Sequence, residues 1–209
     1  MALAAVALCA PPMIRANPLS RCNDMQDFWN QRYAEPGYKY GTEPNDYLRG
    51  QASRLPPAGQ VLVPGDGEGR NSVWLAAQGH HVLAVDIAEV GLAKARQLAL
   101  TQGHEVSARL RTQRADLSEW VPPAGRFDAV VLTYVHLPSS FRAEAHKRLA
   151  ASLKPGGWMI LEAFHPNQLQ RSSGGPKDVD MLYTLSQLRS DFMGVLREVQ
   201  GNGFADAAP

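Results

Sequence analysis

Three glycines at alternate positions, Gly65, Gly67 and Gly69, follow directly on the apolar run Val61-Leu62-Val63-Pro64, and a helical pattern starts at Arg70-Asn71. Glycine tolerates positive φ and lets another group approach bare backbone. A strand ending in such a turn can bend sharply into a helix. A second apolar run, His81-Val82-Leu83-Ala84-Val85, then stops on the lone carboxylate Asp86. Strand, glycine turn, helix and acid-tipped strand make half of a nucleotide-binding α/β unit. A carboxylate at that tip can accept hydrogen bonds from both hydroxyls of a ribose, so the pattern points to an adenosine-containing ligand.

Spacing narrows the ligand. Dinucleotide folds place glycines as G-x-G-x-x-G and seat a pyrophosphate on the following helix N-terminus. Here the third glycine comes one residue early, and the turn holds two acids, Asp66 and Glu68. Carboxylates there would repel a pyrophosphate and suit a ligand with a cationic amino acid portion. S-adenosylmethionine, with a sulfonium and an ammonium beside its adenosine, meets that description. Two plainer readings stay open: the glycines make only a tight turn, and Asp86 caps the helix that starts beyond Ala88, a role compatible with ribose binding.

The rest of the chain alternates in the same way. The patterns predict strand 60–64, helix 69–78, strand 81–86, helix 88–101, strands 106–115 and 127–133, helix 139–153 with Ser139 as N-cap, and strand 157–164. Such alternation predicts an α/β fold, Rossmann-like and doubly wound, with a mainly parallel sheet. Right-handed crossovers bring the strand C-termini to one edge. That edge gathers the glycine turn, Asp86 with Ile87, Asp116 with Leu117, and Thr133. Asp116 is read either as an acceptor for an adenine amino group or as a turn cap. Ahead of the sheet, Asn23 or Asp24 caps a helix through Tyr33, and a second helix covers 45–55. Residues 25–55 thus form a helical cover on the sheet core 60–199 within one domain, 25–209.

Ala115-Asp116-Leu117, Phe127-Asp128-Ala129-Val130-Val131-Leu132 and the break Leu153-Lys154-Pro155-Gly156-Gly157 before Trp158 follow the glycine turn in order. With these the chain resembles the class I S-adenosylmethionine-dependent methyltransferases over roughly residues 25–195. Phe28-Trp29-Asn30-Gln31-Arg32-Tyr33, Tyr40-Gly41-Thr42-Glu43-Pro44-Asn45, Arg70-Asn71-Ser72 and Ser172-Ser173-Gly174-Gly175-Pro176 look like the tellurite-resistance and thiopurine S-methyltransferase-like group. That resemblance implies a lid carrying Trp29, Arg32 and Tyr40 over the cofactor, and a small methyl acceptor, often chalcogen-bearing or lipophilic. Tyr134 and His136 follow the fourth strand, where the acceptor is expected, and are the candidate catalytic groups; His136 is either a base or a hydrogen-bonded wall. His165-Pro166-Asn167 does not match the Asn/Asp-Pro-Pro-Tyr/Phe motif of amino-methylating relatives. The family's fold ends in an antiparallel hairpin. The run 195–199 and the tail 201–209 supply no convincing last strand, so an incomplete C-terminal hairpin is expected.

Composition sets the outer bounds. A net charge of +1 with no block of like sign points to neither nucleic acid nor an anionic membrane as partner. Two cysteines, Cys9 and Cys22, and scattered histidines give no metal framework and fit a reducing cytoplasm. Met1–Ala10 is apolar but lacks a basic n-region. Residues 1–24 are read as a disordered or upstream extension, with translation beginning at Met25. The leading expectation is a cytoplasmic enzyme that uses S-adenosylmethionine to methylate a small molecule at sulfur, selenium or tellurium. The alternatives are a cofactor-binding protein without catalysis and a nicotinamide-linked oxidoreductase.

Overall fold

A computed structural model of the chain describes residues 18–172 and 174–201. The extension up to residue 17, Ser173 and the tail from 202 lie outside the described residues. Helix α1 (Pro18–Tyr33) precedes a glycine-rich loop and the short helix α2 (Asp46–Gln51). Strand β1 (Gln60–Pro64), helix α3 (Arg70–Ala77), strand β2 (His81–Asp86) and helix α4 (Glu89–Thr101) follow. Helix α5 (His104–Arg109) runs straight into strand β3 (Leu110–Arg114). Strand β4 (Phe127–Thr133), helix α6 (Ser139–Ala151), strand β5 (Leu153–Glu162) and helix α7 (Leu185–Asp191) complete the described fold.

The five strands are all parallel, in the order β3-β2-β1-β4-β5. The order reverses between β1 and β4, the switch point at which doubly wound sheets open a crevice at their C-terminal edge. Alternation along β1 explains the two cores. Val61 and Val63 point to one face with Leu48, Leu75 and Ile160, whereas Leu62 points to the other with Val85, Val130 and Leu149.

Four sequence expectations change. Helix α1 starts at Pro18, so Asn23 and Asp24 lie inside it rather than at its cap. Residues 106–109, read as part of a strand, belong to a helix over 104–109: Gly103, at positive φ, opens it, and Glu105 pairs with Arg109 one turn on, at 3.1 Å. Val106, Ala108 and Leu110 alternate as a strand would, and a short apolar run cannot separate the two periods. Ser139 is not the cap of α6. The cap position is Pro138, and the Asp180 carboxylate accepts from the Ser139 amide at 2.9 Å. The Lys-Pro-Gly-Gly break is an irregularity within β5: Phe127 faces Leu153 and Ala129 already faces Trp158. Lys154 fastens it by donating to both carboxylate oxygens of Asp128, at 2.8 and 2.9 Å. Beyond β5 come two 3-10 turns and α7. Residues 195–199 form no strand, and β5 has β4 as its sole sheet neighbour among the described residues.

Candidate active site

Parallel register puts Pro64 beside Val85, Asp86 beside Arg114 and Thr133 beside Glu162, so the expected site residues share one rim of the sheet. The glycine turn leaves β1 with Gly65, Gly67 and Gly69 all left-handed, at φ 64°, 63° and 93°. A Cβ on Gly67 would meet the Tyr33 hydroxyl at 2.6 Å, and one on Gly69 would meet Ala95 at 2.6 Å. These glycines therefore let α1 and α4 close directly on the turn. Tyr33 is buried on this turn.

Both acids of the turn are held by protein groups. The Asp66 carboxylate accepts from the Ser72 hydroxyl and, at 3.3 Å, from the Ser72 amide, tying the turn to the first turn of α3. Glu68 accepts from the Lys39 amide at 2.6 Å and from the Lys94 ammonium at 2.8 Å. Asp86 accepts from the amides of Gly67 and Ala88, each at 2.8 Å. It therefore straps the glycine turn and closes a local turn to Ala88, but it is not the cap of α4: Ala88 holds that position, with no side-chain cap bond. A carboxylate has about four acceptor positions, so Asp86 retains capacity for a further donor beside its backbone bonds.

Burial pushes the Asp66 carboxyl up to about 7, against the pull of its Ser72 bonds. Since the folded value lies above the ordinary 3.8, folding favours the protonated form. That stability is fully present below the unfolded value and is lost as pH rises through about 7. Asp66→Asn should flatten this part of the stability–pH profile in urea unfolding between about pH 4 and pH 8. A slope matching the parent's would show that Asp66 ionises in the fold without penalty. Burial raises Asp86 as well, opposed by its amide bonds to Ala88, Gly67 and Ile87.

On the adenosine side, Asp116 does cap a turn: its carboxylate accepts from Ser118 at 2.8 Å, and its carbonyl accepts from Trp120 at 2.7 Å. Leu117 packs at the edge of the core beneath it, and Ile87 is half-buried next to Asp86. On the cover, Trp29 stacks on Tyr33 at 5.4 Å, and Arg32 donates to the Tyr40 hydroxyl at 3.3 Å. Tyr33 thus stands between Trp29 and the glycine turn, while Tyr40 stands half in solvent.

Across the switch point, Thr133 accepts from the Asn71 side chain at 2.6 Å, and Asn71 in turn accepts from the Asn45 amide at 2.9 Å. The Asn45 side chain donates to Glu162 at 2.5 Å. This chain of polar groups joins α2, α3, β4 and β5 beneath the rim. It was missed in the sequence, although Glu162 ends β5 as Asp86 ends β2.

Tyr134 adopts a left-handed backbone, φ 57°, rare for a bulky residue. Its ring stacks on Phe164 at 4.7 Å. Burial, and then the Glu162 carboxylate to which the phenol hydrogen-bonds, push its hydroxyl up to about 12. His136 stacks on the other side of the group, 5.6 Å from Phe164 and 5.2 Å from Tyr183. Its Nε2 accepts from the Phe164 amide at 3.3 Å, which leaves Nδ1–H to donate to the Met181 carbonyl. Burial pulls it down to about 4. Both ring nitrogens are therefore engaged in holding Phe164 and the segment around Met181.

Residues 61–157 match the family model of a methyltransferase domain. The doubly wound sheet with its glycine-turned switch point agrees with such a domain, and together they support a class I S-adenosylmethionine-dependent methyltransferase with S-adenosylmethionine as its cofactor. Among curated proteins it is similar to a thiopurine S-methyltransferase of Legionella pneumophila strain Philadelphia 1, at 25% identity over 75% of this chain and 77% of that one. Among solved structures, the fold is similar to that of the protein studied for conversion of a disulfide bond into a thioacetal group during echinomycin biosynthesis. That match has a TM-score of 0.64 and 18% identity, and it covers 80% of this chain and 77% of the other. It is also similar in fold to the glycopeptide N-methyltransferase MtfA, with a TM-score of 0.52 and 21% identity over 66% of this chain. The chain spans 60% of the length of MtfA. No described helix is long and apolar enough to cross a membrane.

Proposed function

We infer that the chain methylates a small molecule at a thiol or another chalcogen, without a general base from the protein. The observation that carries this reading is the engagement of the groups around the acceptor side. His136 uses both ring nitrogens, and the Tyr134 phenol, pushed up to about 12, bonds to Glu162. An oxygen or amine acceptor would usually need a proton removed. A thiolate arrives already anionic and needs only to be held in line with the methyl carbon, and such positioning can contribute roughly 7–11 kcal/mol. The similarity to thiopurine S-methyltransferases supports the same choice.

In this reading Asp86 accepts the ribose hydroxyls, Ile87 and Leu117 flank the adenine, and Asp116 accepts from its amino group. The backbone of Gly65, Asp66, Gly67 and Gly69 with Thr133 lines the amino acid end, under Trp29, Arg32 and Tyr40. Bound S-adenosylmethionine supplies an electrophilic methyl group on a sulfonium. Tyr134, Phe164 and His136 form an aromatic wall that keeps water from the acceptor. The left-handed backbone of Tyr134 fits this role, since strain on the order of 1–3 kcal/mol persists where a site needs a side chain aimed against its preference.

Turnover of a panel of thiols, selenols, phenols and amines with labelled S-adenosylmethionine tests the reading. Product is expected from the thiols and selenols, with a rate rising as the acceptor ionises. His136→Gln should cost far less than the ~100-fold that loss of a general base produces. Tight S-adenosylhomocysteine binding without product from any acceptor would favour the non-catalytic alternative. Amine-selective turnover abolished in His136→Gln would overturn the base-free reading.

A further inference from the structure

We propose that Lys94, on the outer side of α4, is a positioning residue for the cofactor: its ammonium latches the loop of residues 35–41 onto the glycine turn. The inference rests on the cofactor reading above and concerns a residue outside the cleft.

An ammonium has three donors and no acceptor, and Lys94 Nζ uses all three on separate partners. It donates to the Glu35 carbonyl at 2.7 Å, the Gly37 carbonyl at 2.7 Å and the Glu68 carboxylate at 2.8 Å. Two of these partners belong to the loop, and the third is an acid of the glycine turn. The other Glu68 oxygen accepts from the Lys39 amide at 2.6 Å, so the loop is held to the turn twice. Glu68 is the buried member of the pair, its side chain 4% exposed against 23% for Lys94. Charge-assisted bonds at such a site are the strong ones. Tyr38 lies 5.8 Å from Nζ and donates to the Lys94 carbonyl at 3.3 Å, which fixes the stem.

Gly37 and Gly41 are left-handed at φ 78° and 72°, and nothing packs where a Cβ would stand on either. Between them sits Tyr40, whose hydroxyl accepts from Arg32. Trp29 and Arg32 stand on α1, and the Arg32–Tyr40 bond ties the loop to that helix. Without the Lys94 ammonium, the loop loses two bonds to its backbone and keeps the Lys39 amide bond to Glu68, the Tyr38 hydroxyl bond and the Arg32–Tyr40 bond. The acids of the turn thus have separate duties: Asp66 shapes the first turn of α3, and Glu68 receives the cover.

The test compares the full chain with Lys94→Met and Glu68→Gln. Lys94→Met should raise KM for S-adenosylmethionine and speed S-adenosylhomocysteine release by about tenfold, the scale of losing charge-assisted hydrogen bonds from one of two states. Its kcat at saturating cofactor and its KM for a thiol acceptor should stay near the parent's, a split that general destabilisation does not produce. Glu68→Gln should move the same quantities in the same direction by a smaller factor. The double variant should show less than the product of the two effects, because both remove one interaction. Glu68→Gln also decides the matter if Lys94→Met does not fold. Folded Lys94→Met or Glu68→Gln with the parent's KM and release rate overturns the latch alone. A parent chain that takes up no S-adenosylhomocysteine overturns the cofactor reading and the latch with it.

Discussion

Asp191→Ala is expected to destabilise the protein by about 3–5 kcal/mol, the usual consequence of leaving a buried charge without its partner. Asp191 ends α7 and receives Arg142 Nε at 2.8 Å and His146 Nδ1 at 2.8 Å, both from α6. All three side chains are at least nine-tenths buried. Removing the carboxylate strands a guanidinium that cannot neutralise itself. The loss extends to the packing around His136, because the same guanidinium lies 5.2 Å from Tyr183, whose ring lies against His136 and whose hydroxyl bonds to the Leu137 backbone. Urea unfolding measures the change. Asp191→Asn, which keeps an acceptor for Arg142, should lose distinctly less. A loss below about 1 kcal/mol in the alanine variant would mean that water replaces the carboxylate, as at an exposed ion pair.

The second large effect is on ligand affinity. Asp86→Ala should weaken S-adenosylhomocysteine binding by about 1.5–3 kcal/mol, the scale of hydrogen bonds to a charged partner. Calorimetry reads the change directly. The same carboxylate holds the amides of Gly67 and Ala88, so the variant also loosens the glycine turn and should melt earlier. Asp86→Asn separates these contributions, since its amide oxygen still accepts one backbone bond while the charge is gone. An unchanged dissociation constant in both variants would remove Asp86 from the ribose site.

Much of this architecture was legible because its signals are local. The boundaries of β1, β2 and β4 follow from apolar runs closed by Gly65, Asp86 and Thr133, and parallel alternation then dictates a shared rim. Sequence reasoning missed features that depend on partners far along the chain. Helix α6 has no capping side chain of its own because Asp180, 41 residues away, supplies the acceptor. Glu68 reads as a ligand-facing acid until the fold brings Lys94 and the Lys39 amide to it, 26 and 29 residues distant in sequence. The α5–β3 boundary failed for another reason: six residues with alternating apolar positions satisfy either period, and the Glu105–Arg109 pair tips the balance to helix.

The outer side of β5 has a consequence for how these molecules tolerate one another. Bare sheet margins recruit foreign strands, and proteins guard them with proline, charge or irregular backbone. Here Pro155 offers no amide, Gly156 turns left-handed, and Lys154 stands beside them, so the first half of the margin is a poor template. Arg54 lies over Trp158 and bonds to Gln200, and Leu196 rests against the core beside Met159 and Leu161. Among the described residues, the second half of the margin, from Trp158 to Glu162, is thus guarded by a few side chains from neighbouring segments rather than by its own backbone.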